Sequence, residues 1–146
     1  MSSRPISQPL DRPQIVAAAL ELLKTGSAKD LSTRRLAEKL GIKSASLYHH
    51  FRNKQQLRDH VSAAMIAPAW RPPHPGERWQ DWLLEIGYAL RRALNSYGDG
   101  AVVAVGSTPP PEARSAVDLL YAPLQEAGFP LDVTRNIIVT VLRFVG

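Results

Sequence analysis

The chain has 146 residues, 45% of them apolar, with 18 Lys and Arg against 13 Asp and Glu and a formal net charge of +5. That length suits one domain, or a small domain joined to part of another, with enough apolar mass for a real core. It contains no cysteine, which excludes disulfides and thiolate metal sites, and no apolar run approaches the roughly 20 residues that span a bilayer.

The opening MSSRPISQPL lacks the apolar stretch of a secretion signal, so a cytoplasmic location without a membrane partner is expected. The charge is unevenly placed. Residues 1–60 carry 11 Lys and Arg against 5 Asp and Glu, whereas residues 61–146 carry 7 against 8. A basic N-terminal part beside a nearly neutral remainder suggests a polyanion contact at one end and a different task at the other; a merely solvated basic face is the plainer alternative.

Residues 1–10 read as a flexible arm. Asp11 is placed as an N-cap with Gln14 as its capping-box partner and Pro13 in the first turn. Ile15, Ala18, Ala19, Leu22 and Leu23 then recur at helical spacing up to Gly26, which predicts a helix over Arg12 to Thr25. Ser32 caps a short second helix, Thr33 to Leu40, whose apolar face is Leu36, Ala37 and Leu40 and which Gly41 ends. A third helix is expected over Ser44 to Phe51. Asn53 and Gln56 form another capping box, opening a fourth helix through Leu57, Val61, Ala64 and Met65 toward Pro68.

PAWRPPHPGE, with four prolines, is a rigid connector. Helical spacing resumes from Trp79 through Trp82, Leu83, Ile86, Ala89, Leu90 and Leu94, and Trp79 and Trp82 share a face that is expected to pack the core, with a role as pocket aromatics the alternative. AVVAVG is a strand or a brief helix; its place between two long helices favours helix. STPPPEA opens a further helix through Ala116, Leu119, Leu120 and Leu124 to Gly128. A last one begins near Asp132 and is still apolar at Phe144, so it reads as cut in mid-helix, with Ile137, Ile138, Thr140, Val141 and Phe144 forming a face too apolar for solvent. The fold class is all-α.

Two short helices joined by a glycine turn, with another helix packed behind, describe a helix-turn-helix. In that arrangement the second short helix enters the DNA major groove with its N-terminal residues leading, which small side chains permit, and Ser44, Ala45 and Ser46 are small. Leu47 is its inward anchor. Tyr48, His49 and His50 then fan outward with hydroxyl and imidazole groups that reach phosphates or base edges. Lys54 opens the next helix, where the macrodipole also favours phosphate. Thr33 and Arg34 clamp the backbone from the other side. Leu36, Ala37, Leu47 and Phe51 read as core.

Other chemistries fit less well. His49 and His50 are adjacent and point about 100° apart on a helix, so they cannot chelate one ion, and no metal or other cofactor is expected. Ser44, Ser46 and His50 suggest a nucleophile and base only in isolation, since no orienting carboxylate or oxyanion loop accompanies them. No catalytic residue is assigned and no enzyme is expected.

The stretch LSTRRLAEKLGIKSASLYHHFRNKQQL resembles the DNA-binding domain of the tetracycline-repressor (TetR) family, through Thr33, Leu36, Ala37, Leu40 and Gly41 and then Leu47, Tyr48, His50, Phe51, Asn53 and Lys54. GERWQDWLLEIGYALRRALNSYGDGAVV and EAGFPL are similar to segments of the tetracycline repressors' ligand domain. The resemblance implies an arm over 1–10, a helix-turn-helix domain over 11–60 and a helical effector-binding and dimerisation domain over 61–146, C-terminally incomplete. It implies that Tyr48, His50 and Lys54 hold phosphates, while Arg34, Ser44, Ala45, Ser46 and His49 face the groove. Lys43, also expected to meet DNA, departs from the Ser, Thr or acidic residue frequent at that position. Ser44 replaces a base-reading glutamine, so a different operator is expected.

The same resemblance implies a homodimeric repressor that leaves a palindromic double-stranded operator when a small molecule binds. In the tetracycline repressors the pocket holds a magnesium-chelated drug through polar side chains, and the corresponding positions fall on Trp70, Ile86, Ala104 and Thr108. The magnesium-ligating histidine becomes Ala104 and a drug-contacting asparagine becomes Ile86. Leu90, Pro109, Ala116 and Leu120 line the same cavity, so an apolar or aromatic, metal-free effector stacking on Trp70 is expected; simple core filling is the alternative. A non-specific nucleic-acid-coating module without an effector is the competing function.

Overall fold

A computed structural model describes residues 9–145; most of the expected arm over 1–10 lies outside them. Eight α-helices make up the described chain: α1 Arg12–Thr25, α2 Thr33–Leu40, α3 Ser44–Leu47, α4 Lys54–Ile66, α5 Trp79–Asn95, α6 Gly100–Val105, α7 Arg114–Glu126 and α8 Leu131–Val145. Single 3-10 turns stand at Ala28–Asp30, Ala67–Ala69 and Pro111–Ala113. No strand occurs among the described residues, and no helix among them is long and apolar enough to cross a membrane.

The caps form largely as the spacing predicts. Asp11 accepts from the Gln14 amide at 2.8 Å while Gln14 accepts from the Asp11 amide at 3.2 Å. Ser32 accepts from the Arg35 amide at 3.2 Å. Asn53 accepts from the Gln56 amide at 2.8 Å, but the Gln56 side chain reaches back one residue further than expected, to the Arg52 amide at 2.6 Å. Each bond satisfies a donor that the first turn leaves without a partner. AVVAVG resolves to helix α6: Val103 turns into the core, and Asp99, at φ 55°, redirects the chain into it.

Two clusters of buried side chains organise the packing. The first gathers Ile15, Val16, Ala19 and Leu23 of α1, Leu36 and Ala37 of α2, Leu47, Phe51, and Leu57, Val61 and Met65 of α4, and takes in Leu94 and Val103 from α5 and α6. The second joins Trp82, Ile86 and Leu90 of α5 to Leu120 and Leu124 of α7 and Ile138 of α8. Trp82 is wholly buried, and half-buried Trp79 meets Phe129 edge-on at 5.1 Å, so both tryptophans pack the core. The α8 face requires a correction. Ile138 was expected among its exposed residues but is buried, because Thr134 and Ile138 are the positions that α8 turns toward α5 and α7; Phe144, at 84% exposure, does face outward.

The proline connector is clamped rather than loose. Arg71 forks onto Glu77 at 2.7 and 2.8 Å and reaches Glu85 at 2.6 Å, and its carbonyl accepts from the Trp82 indole at 3.0 Å. The hydrogen bonds from Arg71, reinforced by the His74 amide, hold the Glu77 carboxyl at about 2, well below its ordinary 4.5. A carboxylate with a depressed pKa stabilises the fold fully above its unfolded value, and that contribution disappears as pH falls through the folded one. Tryptophan emission is therefore expected to stay constant above about pH 4.5 and to shift red as pH falls toward 2. Glu77→Gln should carry part of that shift already at neutral pH; identical acid curves for the two proteins would detach the connector from Glu77.

The α5–α6 turn docks on the end of α1 through Gly98, whose amide donates to the Leu23 carbonyl at 2.8 Å. A Cβ at Gly98 would collide with the Gly26 carbonyl, which is backbone and cannot swing aside. Gly98→Ala is expected to cost about 2–3 kcal/mol, the upper part of the overpacking range, read as a fall of roughly 5–10 °C in the Tm of thermal unfolding. An unchanged Tm would mean that this docking is soft.

Candidate functional site

Gly41 adopts the left-handed conformation at φ 68°, where a side chain would be strained, and the Ile42 amide closes the turn on the Ala37 carbonyl at 3.0 Å. That reversal sets α3 beside α2. The regular part of α3 is shorter than predicted. After Leu47 the chain tightens to three-residue bonds, His49 onto Ser46 at 3.3 Å and His50 onto Leu47 at 3.0 Å, so Tyr48–His50 form a turn. The cause is anchorage at both ends: Leu47 and Phe51 are both buried, and the segment between them must fit that span.

None of the ten residues predicted to meet DNA is buried. Arg34, Lys43, Ala45, Tyr48, His49 and Lys54 are exposed, and Thr33, Ser44, Ser46 and His50 are partly so. They occupy the start of α2, α3 with its turn, and the first residue of α4. Arg34 pairs with Glu38 at 3.0 Å, both largely in water. Such an i,i+4 pair contributes only about 0.3–0.5 kcal/mol, so Arg34 is readily redirected to another anion.

Sequence reasoning missed Arg12. Its Nε donates to the His50 carbonyl at 2.8 Å, its guanidinium lies 5.6 Å from the Phe51 ring centre, and its other arm pairs with Glu112 at 3.3 Å. On the opposite side of the chain's course, His60 of α4 meets Phe51 edge-on at 5.4 Å. The partners are 38 and 100 residues away from Arg12, so no local pattern could have signalled them.

A cavity of about 810 Å³ opens between α4, α6, α7 and α8. Six of the eight residues expected to line an effector site border it: Trp70, Ala104, Thr108, Pro109, Ala116 and Leu120. Ile86 and Leu90 do not. They are buried in the second core, where the face of α5 that carries them packs with Leu120 and Leu124 of α7 and Ile138 of α8.

His60 and Glu112 line the cavity as well, so the groups that hold the α3 turn also form part of its wall. α4 is tied to the same wall at a second place. Arg58 donates to the Val102 and Val103 carbonyls at the end of α6, Gln55 donates to the Gly106 carbonyl at 2.8 Å, and Asp59 accepts from the Thr108 amide at 2.9 Å.

The strength of the Arg12 contacts can be ranked. A hydrogen bond from a charged donor contributes about 1.5–3 kcal/mol, an exposed cation–π contact about 0.5–1, and an exposed ion pair about 0–1. Arg12→Ala is thus expected to speed amide exchange at His49, His50 and Phe51 roughly tenfold, equivalent to about 1.4 kcal/mol, and Glu112→Gln to leave it within about twofold. Equal acceleration in both variants would make the ion pair the holding contact instead.

Comparison with known proteins adds to this geometry. Residues 15–61 match the family model of bacterial regulatory proteins of the tetR family, and residues 72–146 match that of the tetracyclin repressor-like C-terminal domain. The tetracycline repressor protein class A from transposon 1721 of Escherichia coli is 35% identical over 132 residues, covering 89% of this chain and 61% of the repressor. The chain spans about three fifths of the length of the curated repressors it matches. Among solved structures, BioQ with its double-stranded DNA operator superposes with a TM-score of 0.80 at 32% identity, over 94% of this chain and 85% of BioQ. A TetR variant from Acinetobacter baumannii AYE in complex with minocycline gives 0.79 at 34% identity, over 93% of this chain and 75% of that one.

Proposed function

The chain belongs to the tetR family of bacterial regulatory proteins, and we propose that it is a transcriptional repressor, binding a palindromic operator as a homodimer in the cytoplasm and released by a small-molecule effector. One observation carries this reading. The α3 turn presents Tyr48 and His49 outward on the buried anchors Leu47 and Phe51, and Phe51 packs against His60 of α4, which borders the cavity. The chemistry is binding, and no catalytic role is assigned.

In this reading residues 11–60 form the DNA-binding head and 61–146 the effector and dimerisation part, with residues 1–10 as an arm. Ser44, Ala45, Ser46 and His49 lie along the groove with Arg34 and Lys43, and Tyr48, His50, Lys54 and Thr33 hold phosphates. The DNA-bound neighbour BioQ supports the first half of the reading, and the minocycline-bound neighbour supports the second. The effector of this chain has an apolar or aromatic body and is taken without a metal ion, since Trp70, Ala104 and Leu120 border the cavity and no three His, Asp or Glu side chains among the described residues come together as metal ligands. Filling the cavity moves His60 against Phe51 and the end of α6 against Gln55 and Arg58, which changes the seating of the α3 turn and of α4. The spacing of two recognition elements in a dimer then no longer matches half-sites about one helical turn apart.

Selection of bound sequences from random DNA is expected to yield a two-fold symmetric site preferred about 10³-fold or more over random duplex. On that site Tyr48→Ala with Lys54→Ala should weaken binding about 10–100-fold and lower the slope of log affinity against log salt by about 1. Recovery of no preferred sequence would leave a non-specific coating protein; undiminished binding by a folded double variant would remove the α3 turn from the interface.

A further inference from the structure

The proposal that follows rests on the cavity being the effector site and concerns what that effector must carry. The charged groups bordering the cavity are Asp59, His60, Glu112, Arg135 and Arg143, and the two signs are not equally committed. Asp59 is engaged by the Thr108 amide at 2.9 Å and by the Gln55 side chain at 2.8 Å. Glu112 is engaged by Arg12 at 3.3 Å. Among the described residues, neither Arg135 nor Arg143 has a carboxylate within ion-pair distance. The charged groups around the cavity that have no internal partner are therefore the two guanidinium groups.

Both arginines belong to α8, eight residues apart and hence about 12 Å along the helix axis. The α8 residues between them that border the cavity, Ile138, Val139 and Leu142, are apolar. An empty cavity leaves both guanidinium groups in water, where being unpaired costs little. A ligand changes that. A wholly apolar molecule lying on the Ile138–Leu142 wall would strip water from a guanidinium and return no acceptor, which is unfavourable. A cation on that wall would meet two like charges and no free acceptor. A carboxylate instead replaces the lost water with a charge-assisted, commonly bidentate pair, roughly twice as strong as a neutral hydrogen bond.

We propose that this chain's effector is an amphipathic organic acid, with its apolar body on Trp70, Leu120 and the α8 wall and its carboxylate on Arg135 or Arg143. The test titrates the full chain, by calorimetry and tryptophan emission, with naphthoate, phenylbutyrate and decanoate, each beside its primary amide. For at least one pair the acid is expected to bind tenfold or more tighter than its amide, with an advantage that shrinks as salt rises. Arg135→Gln with Arg143→Gln should bring that acid down to the level of its amide and leave the amide's affinity unchanged, which also shows that the variant is folded. Amides that bind as tightly as their acids, or an acid preference that survives the double variant, would overturn the proposal while keeping the cavity as a ligand site. Binding by none of the six compounds would overturn the effector-cavity reading and this proposal with it.

Discussion

Helix α4 must satisfy two environments at once. Leu57, Val61 and Met65 are almost inaccessible to solvent within the first core, and burying three such side chains contributes about 1.5–3 kcal/mol each. Ala63, Ile66, Asp59 and His60 of the same helix border the cavity. A displacement of α4 large enough to accommodate a ligand on one side must be followed by the head on the other, because close-packed interiors repack between discrete arrangements rather than deform smoothly. This shared helix makes a cavity in the body consequential for a turn in the head.

The polar contacts decide which parts follow. Arg58 and Gln55 bind carbonyls at the end of α6, a helix of six residues with no side-chain cap at its start. So short a helix has little stability of its own, and its C-terminal turn depends on what α4 donates to it. Arg12 does the same for the α3 turn. Both devices use an arginine to satisfy main-chain carbonyls that helix ends leave without partners. The two ends so treated are the α3 turn and the cavity wall.

Much of this was legible in the chain. The bounds of α1 and α2 follow from Asp11 with Gln14, Ser32, and Gly41, because caps and left-handed glycines are local chemistry that needs no tertiary information. Core membership of Leu36, Ala37, Leu47 and Phe51 likewise follows from spacing. Spacing could not show that α3 would tighten after Leu47, since that depends on where the first core places Leu47 and Phe51. Nor could it separate Ile86 and Leu90, which do not border the cavity, from Ala116 and Leu120, which do. All four are apolar positions on helices, and only the rotation of α5 against α7 and α8 distinguishes them. Ile138 moved from the expected exposed face to the core for the same reason. Arg12 illustrates the limit most clearly: a first-turn arginine carries no sign of partners that lie 38 and 100 residues away.

The charge distribution then acquires a division of labour. The excess of Lys and Arg lies in residues 1–60, and several of these residues, Arg34, Lys43 and Lys54 among them, are exposed around α2 and α3. There they raise the local attraction for a polyanion and its salt dependence without specifying a sequence. In the body, cations and anions nearly balance in number, yet around the cavity Asp59 and Glu112 have partners within the chain, whereas Arg135 and Arg143 meet no carboxylate among the described residues. On the proposed function, a ligand that engages those arginines regulates only through a difference in its affinity for the arrangements competent and incompetent for DNA. Only that difference, and not the tightness of binding, can shift the population of heads competent for DNA.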